Sequence, residues 1–296
     1  MALRRFQYLQ CNSLDEAFSL LLKYKDEAKV IASGTDIITG IQQKKITPKY
    51  LIGLQNIPHL DYIEHDAAQG LRIGTAATLA SIADTAVVKT NFNILAQAID
   101  QMASPQIRNK ATIGGNLCNA SPSADTAPPL LAMEAKVLLV SSSGNRLVFL
   151  DSFFTGPSQT VLKEGELLLE VQIPNLPGNS FGVYLKQSLR KSMSLSTVSV
   201  AVIFITDRES NRCQDVRIAL GAVAPVPMRA RRAEMELRNK YLDKGLIDIV
   251  ARTALEEACP ISDIRSTAEY RKRMIQLLVT EALGQIGAKI QENQTK

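Results

Sequence analysis

Pro105-Gln106-Ile107-Arg108-Asn109-Lys110-Ala111-Thr112-Ile113-Gly114-Gly115-Asn116-Leu117-Cys118-Asn119-Ala120-Ser121-Pro122-Ser123-Ala124-Asp125 is the stretch on which the reading of this chain turns. It follows an amphipathic pattern over residues 94–102 that Pro105 ends, and from 104 to 129 the sequence is polar and glycine-bearing. A loop-like run of about 25 residues is rare inside a compact domain and points to a functional role. Within it, the paired Gly114 and Gly115 predict a bend whose backbone takes positive φ and approaches a ligand closely. Successive N–H groups in such a bend form an anion-binding nest. No Lys or Arg cluster lies beside it, so an anion there would be held by backbone amides. Taken alone, Ala111 to Asn116 fits a tight turn between buried segments equally well.

Working outward, a second bend has related character. A strand at 30–32 runs into Ser33-Gly34-Thr35-Asp36, and an amphipathic stretch over 37–45 stops before Pro48. Unpaired N–H groups at a helix start suit a phosphate, and Ser33 and Thr35 add hydroxyls; an ordinary N-cap explains the same residues. Upstream, Ser13 and Glu16 form a capping box that opens a helix to about residue 25, and 51–54 reads as a strand. The first fifth is thus an α-β-α-β unit. Further on, 71–74, 137–140, 147–150 and 167–173 read as strands, with a helix beginning at 78. Pro174, Pro177 and Gly178 mark a linker over 174–180. Beyond it come strands at 184–186, 197–205 and 216–220, helices at 229–239, 246–258 and 268–286, and a frayed tail at 291–296. The expected division is 1–56, 57–176 and 177–296.

Composition and motifs exclude several classes. A net charge of +5 on 296 residues, with 5% aromatics, does not concentrate base-reading residues as a nucleic-acid binder does. The N-terminal residues lack the apolar core of a secretory signal, no apolar run approaches a bilayer span, and Cys11, Cys118, Cys213 and Cys259 are scattered. The expectation is a cytoplasmic protein without disulfides. Gly178-Asn179-Ser180-Phe181-Gly182 has the spacing of a nucleophile elbow, but prolines precede it and no histidine follows. His59 and His65 are the only histidines, which disfavours a zinc site. Neither a P-loop nor a G-x-G-x-x-G turn occurs.

The run Gln106-Ile107-Arg108-Asn109 to Gly114-Gly115-Asn116, with Ser121-Pro122 and Ala124-Asp125, resembles the FAD subunits of the molybdenum hydroxylase family, of xanthine, carbon monoxide and nicotinate dehydrogenase type. The resemblance extends to Ala32-Ser33-Gly34-Thr35-Asp36, Phe154-Thr155-Gly156-Pro157, Leu168-Leu169, Lys186-Gln187 and Gly221 to Ala230, essentially the whole chain. It implies an α+β protein: a two-subdomain FAD-binding fold of the vanillyl-alcohol-oxidase type, then a C-terminal α+β domain. It also implies [2Fe–2S] clusters and molybdopterin-bound molybdenum in partner subunits. Electrons would pass from the iron–sulfur subunit through FAD to an external acceptor such as NAD or NADP, and hydroxylation, of an N-heteroaromatic such as xanthine or nicotinate, would occur elsewhere in the complex. The alternative is a self-contained flavin reductase like UDP-N-acetylenolpyruvoylglucosamine reductase.

Carried over residue by residue, the resemblance places Ala32, Ser33, Gly34, Thr35 and Asp36 on the FAD diphosphate together with Thr112, Gly114, Gly115 and Asn116. Asp125 would bind cofactor hydroxyls, Leu168 or Leu169 would pack on the flavin ring system, and Lys186 would reach in from the third domain. Ile31, Ile37, Met102, Ala103, Ala111, Asn119 and Ser123 complete the expected cofactor contacts. Met102 stands where some relatives have a phenylalanine stacked on adenine, so that platform is not expected. From the residues themselves, Leu168 and Leu169 also read as strand core, Lys186 as a surface cation and Asp125 as a turn cap. Cys118 reads as a small apolar filler, with a place near flavin left open. Arg229, Arg231 and Arg232 read either as a partner contact or as a solvated helix start. No catalytic side chain, resident metal or extra [4Fe–4S] cluster is expected.

Overall fold

A computed structural model describes residues 5–190, 193–207 and 209–294. The signal-peptide reading rests partly on residues 1–4, which lie outside that set. No helix of the described residues is long and apolar enough to cross a membrane.

The N-terminal module is β1 (Gln7–Gln10), α1 (Leu14–Tyr24), β2 (Ala28–Ile31), α2 (Ile37–Gln42) and β3 (Tyr50–Gly53). Ser13 caps α1 by accepting from the Glu16 amide at 3.2 Å, and the Glu16 carboxylate reaches back to the Asn12 amide at 2.7 Å, so the expected capping box forms. The strands make a parallel sheet in the order β1-β3-β2. β1 escapes sequence reading because three of its four residues are exposed and it carries no apolar alternation. Ala17 and Phe18 of α1 pack on Ile52 of β3 in a small core that Leu167 also joins.

The middle module begins with β4 (Ile63–Asp66) and β5 (Gly70–Gly74). Six short helices follow: α3 (Leu79–Asp84), α4 (Ala86–Asn91), α5 (Asn93–Asp100), α6 (Pro105–Arg108), α7 (Ile113–Cys118) and α8 (Ala127–Ala132). Then come β6 (Lys136–Ser141), β7 (Gly144–Phe149), a hairpin of β8 (Phe154–Gly156) and β9 (Gln159–Thr160), and β10 (Leu167–Ile173). The main sheet is antiparallel, β4-β5-β10-β6-β7, with β10 at its centre. The 104–129 run is therefore not a structureless loop, for α6, α7 and the start of α8 lie within it. Ser104 and Thr112 cap α6 and α7 from their side chains, and Pro128 stands in the first turn of α8, where its missing N–H costs nothing.

One ion pair ties the far end of this sheet. Arg146 of β7 donates from Nε and Nη2 to the two oxygens of Glu166, each at 2.8 Å, and the Lys163 amide adds a third bond. The Arg146 bond, with help from the Lys163 amide, holds the Glu166 carboxyl below its ordinary value against a smaller burial effect. A depressed carboxylate contributes stability above its unfolded value and loses it as pH falls through the folded one. Urea unfolding from about pH 5 to about pH 3 should therefore show falling stability, with a shallower fall in Arg146→Met. Equal slopes in the two proteins would remove this pair from the account.

The third module is antiparallel: β11 (Ser180–Ser188), β12 (Ser196–Thr206), β13 (Cys213–Gly221) and β14 (Met228–Arg229), followed by α9 (Arg231–Leu237), α10 (Lys244–Glu257) and α11 (Ala268–Gln294). β12 is buried along its whole length because both faces are covered. Val198, Val200, Val202 and Phe204 join the core with α10 and α11, while Ala201, Ile203 and Ile205 join the middle core. Helix α11 runs through Gln294, so residues 291–294 are not a frayed tail, and the rest of that expected tail lies outside the described residues.

Candidate functional site

The bend after β2 is held from behind. The Leu54 amide donates to the Ile31 carbonyl at 3.1 Å, and the Gln55 side chain donates to the Ala32 carbonyl. Gly34 sits at φ +84°, a left-handed conformation that favours glycine. Its carbonyl accepts from the Ile38 amide at 3.1 Å, and the Thr35 carbonyl accepts from the Thr39 hydroxyl. Among the described residues, no acceptor is bonded to the amides of Ser33, Gly34, Thr35, Asp36 or Ile37. Five successive N–H groups beside a glycine turn are a place for an anion.

The second bend is built differently. Thr112 is the N-cap of α7, and neither Gly114 nor Gly115 takes positive φ. Four successive amides are already engaged: Ile113 with the Ala77 carbonyl at 3.0 Å, Gly114 with the Thr75 carbonyl at 3.0 Å, Gly115 with the Thr112 hydroxyl at 3.2 Å, and Asn116 with the Thr112 carbonyl at 3.0 Å. The expectation that this bend grips an anion through positive-φ amides is therefore corrected. Gly114 is needed for close approach instead, since a Cβ there would lie 2.8 Å from the Thr75 carbonyl oxygen and 2.9 Å from the Thr75 Cβ. Gly115 and Asn119 face outward, and the Asn116 amide oxygen accepts from Thr126 at 2.6 Å. Ala111 is buried, with its carbonyl on the Leu79 amide at 2.8 Å.

Thr75 joins these elements. Its amide donates to the Leu169 carbonyl at 2.9 Å while its carbonyl serves Gly114. The next residue, Ala76, donates to Leu60 at 2.7 Å, in the segment that leads out of the N-terminal module. Leu168 is buried in the middle core, whereas Leu169 is partly buried and packs against the N-terminal core. The second bend and the Leu168-Leu169 pair thus meet on one residue that sequence reading did not single out.

The other expected contacts surround Asp125, which is 4% exposed. Its Oδ1 accepts from the Tyr184 hydroxyl at 2.9 Å and from the Ser196 hydroxyl, and its Oδ2 accepts from Lys186 Nζ at 2.7 Å. Lys186 also donates to the Gln101 carbonyl at 2.9 Å, and its side chain is 3% exposed. It is no surface cation, and Asp125 is no simple turn cap. Burial, then the Asp125 charge, pushes the Tyr184 phenol well above its ordinary value, so it stays a proton donor. Tyr184 and Lys186 lie two apart on one strand, and that period was the available signal for Tyr184. Nearby, Met102 is buried with its carbonyl on Arg108 Nη1 at 2.7 Å, and Ala103 turns the chain at φ +40°. Ser123 is buried, 3.1 Å from the Ser121 hydroxyl.

Packing bears on two further sequence alternatives. Arg229 is buried, bonded by Nε and Nη2 to Glu234 at 2.7 and 2.8 Å and by Nη1 to Glu134 at 3.0 Å, so it is an internal tie between modules and not a solvated or partner-facing charge. Arg231 and Arg232 are exposed and pair with Asp151 and Glu256. A cavity of about 250 Å³ lies at this tie, lined by Glu134, Asp151, Arg229 and Arg231 and by neither glycine bend. Cys118 packs against the middle core, and burial pushes its thiol up to about 12, which disfavours a nucleophilic thiolate.

Matches to known proteins span the chain. The family described as "FAD binding domain in molybdopterin dehydrogenase" matches residues 4–176, and that described as "CO dehydrogenase flavoprotein C-terminal domain" matches 183–286. The xanthine dehydrogenase FAD-binding subunit of Escherichia coli O157:H7 is 30% identical over 289 residues, covering 96% of this chain and 98% of its own. The nicotine 6-hydroxylase medium subunit of Paenarthrobacter nicotinovorans is 30% identical, with 98% and 100% covered. Among solved structures, carbon monoxide dehydrogenase from Hydrogenophaga pseudoflava lacking the Mo-pyranopterin moiety superposes with a TM-score of 0.92 at 30% identity, over 96% of this chain and 98% of the matched one.

Proposed function

The chain belongs to the FAD-binding medium subunits of the molybdenum hydroxylase family, and from that premise we propose that it takes electrons from [2Fe–2S] clusters of an iron–sulfur partner and hands them to an external acceptor such as NAD or NADP. Hydroxylation belongs in this reading to a molybdopterin-bearing subunit, acting on an N-heteroaromatic such as a purine or nicotinate. The names of the xanthine and nicotine relatives support that substrate class. Bound FAD supplies a store that fills one electron at a time and empties singly or in pairs.

The observation that carries the binding half of the reading is the row of unengaged amides from Ser33 to Ile37, which suits the diphosphate of FAD. In this arrangement Ala32 to Asp36 hold the anion. Gly115 offers the cofactor an exposed surface without a Cβ, with Asn116 half-buried and Asn119 exposed. Asp125 Oδ2, with one donor from Lys186, retains a lone pair for a cofactor hydroxyl. Leu168 and Leu169 sit at the ring system, and Ile31, Ile37, Met102, Ala103, Ala111, Thr112, Gly114 and Ser123 frame the path. The same proposal takes 1–56 and 57–176 as the two FAD-binding subdomains and 177–296 as the third domain, in a cytoplasmic complex.

The test is a visible spectrum read beside a subunit gel, followed by anaerobic addition of purines and nicotinate to the purified complex. The expected result is a flavin band that co-purifies with iron–sulfur and molybdenum subunits and bleaches with a heterocycle. A flavin band without partner subunits would favour the self-contained reductase. Bleaching by none of the heterocycles would overturn the substrate class.

A further inference from the structure

Glu170 lies outside the residues assigned above, yet it is the most completely buried carboxylate beside them, with a side-chain exposure of 0%. Its Oε2 accepts from Arg72 Nε at 2.8 Å, from Arg72 Nη2 at 2.7 Å and from the Tyr62 hydroxyl, and its Oε1 accepts from Gln172 at 2.6 Å. Burial alone would raise this carboxyl, but the bonds from Arg72, Tyr62 and Gln172 outweigh it and leave the group below its ordinary value. Arg72 reaches in from the surface, its side chain 39% exposed, while the carboxylate it holds is fully buried, so the cluster pins Glu170 in one place.

The geometry it fixes is a defect in the central strand. Pairing of β10 with β6 slips between Leu168 and Glu170, where Leu168 faces Leu139 and Glu170 faces Leu138, so Leu169 is the extra residue of a β-bulge. On its other side Glu170 pairs with Gly74, the residue before Thr75. The bulged Leu169 carbonyl takes the Thr75 amide, and the Thr75 carbonyl takes the Gly114 amide. A displacement at Glu170 therefore passes through two hydrogen bonds to the start of α7.

We propose that Glu170 is a positioning residue for the flavin: clamped by Tyr62, Arg72 and Gln172, it fixes the Leu168-Leu169 bulge against the ring system and, through Thr75, the seat of Gly114. This rests on the reading that Leu168, Leu169 and the Gly114-Gly115 segment line the FAD site. The experiment strips and rebinds FAD on the full chain and reads its dissociation constant, visible band shape and midpoint potential, with thermal unfolding of the FAD-free chain as the structural control.

Glu170→Gln keeps the size of the side chain and removes its charge. It is expected to weaken FAD about tenfold and to shift both the band and the potential, and adding Arg72→Gln should deepen none of these, because both act on one clamp. A Glu170→Gln protein that melts earlier but keeps wild-type affinity, spectrum and potential would make the cluster purely structural and overturn the proposal. Where Glu170→Gln does not fold, Tyr62→Phe removes one donor, and an unchanged affinity and spectrum there overturns it equally. Gly115→Ala separates the two readings. If it too leaves FAD binding untouched, the site assignment fails and takes the Glu170 proposal with it; if it weakens FAD while Glu170→Gln does not, only the Glu170 proposal fails.

Discussion

Gly114→Ala is expected to destabilise the FAD-free chain by about 3 kcal/mol and to abolish measurable FAD binding. The added methyl would meet the Thr75 hydroxyl, its Cβ at 2.9 Å and its carbonyl oxygen at 2.8 Å. Rotating the hydroxyl relieves only the first of these. Thr75 cannot retreat cheaply, because its amide is bonded to Leu169 and its carbonyl to Gly114 itself. The strain therefore spreads into the centre of the main sheet and into the start of α7, two places assigned to the cofactor. Gly115→Ala is the contrast. Its methyl would meet only the Thr112 hydroxyl, at 3.0 Å, and the position is outward-facing. Alanine is the better helix former by about 1 kcal/mol, so this variant should keep its stability while losing FAD affinity through intrusion on the ligand side. Urea unfolding of both FAD-free proteins beside FAD titrations reads the difference. A Gly114→Ala chain with wild-type stability would mean that α7 does not seat on Thr75.

The contrast bears on what could be read in advance. The strands 197–205 and 167–173 were legible because long apolar runs leave few alternatives, and the capping box at Ser13 was legible because all its partners lie within four residues. Helix α7 was not. Two glycines disfavour a helix locally, and what overrides them is a tertiary frame in which Ala77 and Thr75 take the first amides. The expected binding residues rest on resemblance, and the two glycine bends look alike in sequence, yet the amides at 33–37 form an open row whereas those from Ile113 to Asn116 are engaged within the fold. Arg229 was misjudged for a related reason. Its partner Glu134 lies 95 residues away, and nothing in a lone basic triplet reports that a carboxylate has been folded onto it.

Asp125→Ala should cost about 3–5 kcal/mol of stability and loosen the seam between the third module and the middle one. The cost comes from what would be left behind. Lys186, with a side chain only 3% exposed, would lose its carboxylate, and the Tyr184 and Ser196 hydroxyls would lose their acceptor. All three donors come from β11 and β12, whereas Asp125 belongs to the segment before α8, so one carboxylate fastens two modules at the place assigned to the cofactor. Lys186→Met should cost less, because the remaining carboxylate keeps two hydroxyl donors. The double variant should be more stable than Asp125→Ala alone, since removing both charges removes the stranded one. Denaturant unfolding of the four proteins closes this cycle, and FAD titration of Lys186→Met separates a role in binding from a role in fastening. If the double variant is no more stable than Asp125→Ala, the stranded ammonium is not the source of the loss. The hydroxyls of Tyr184 and Ser196 would then carry it, and Tyr184→Phe should reproduce a measurable share.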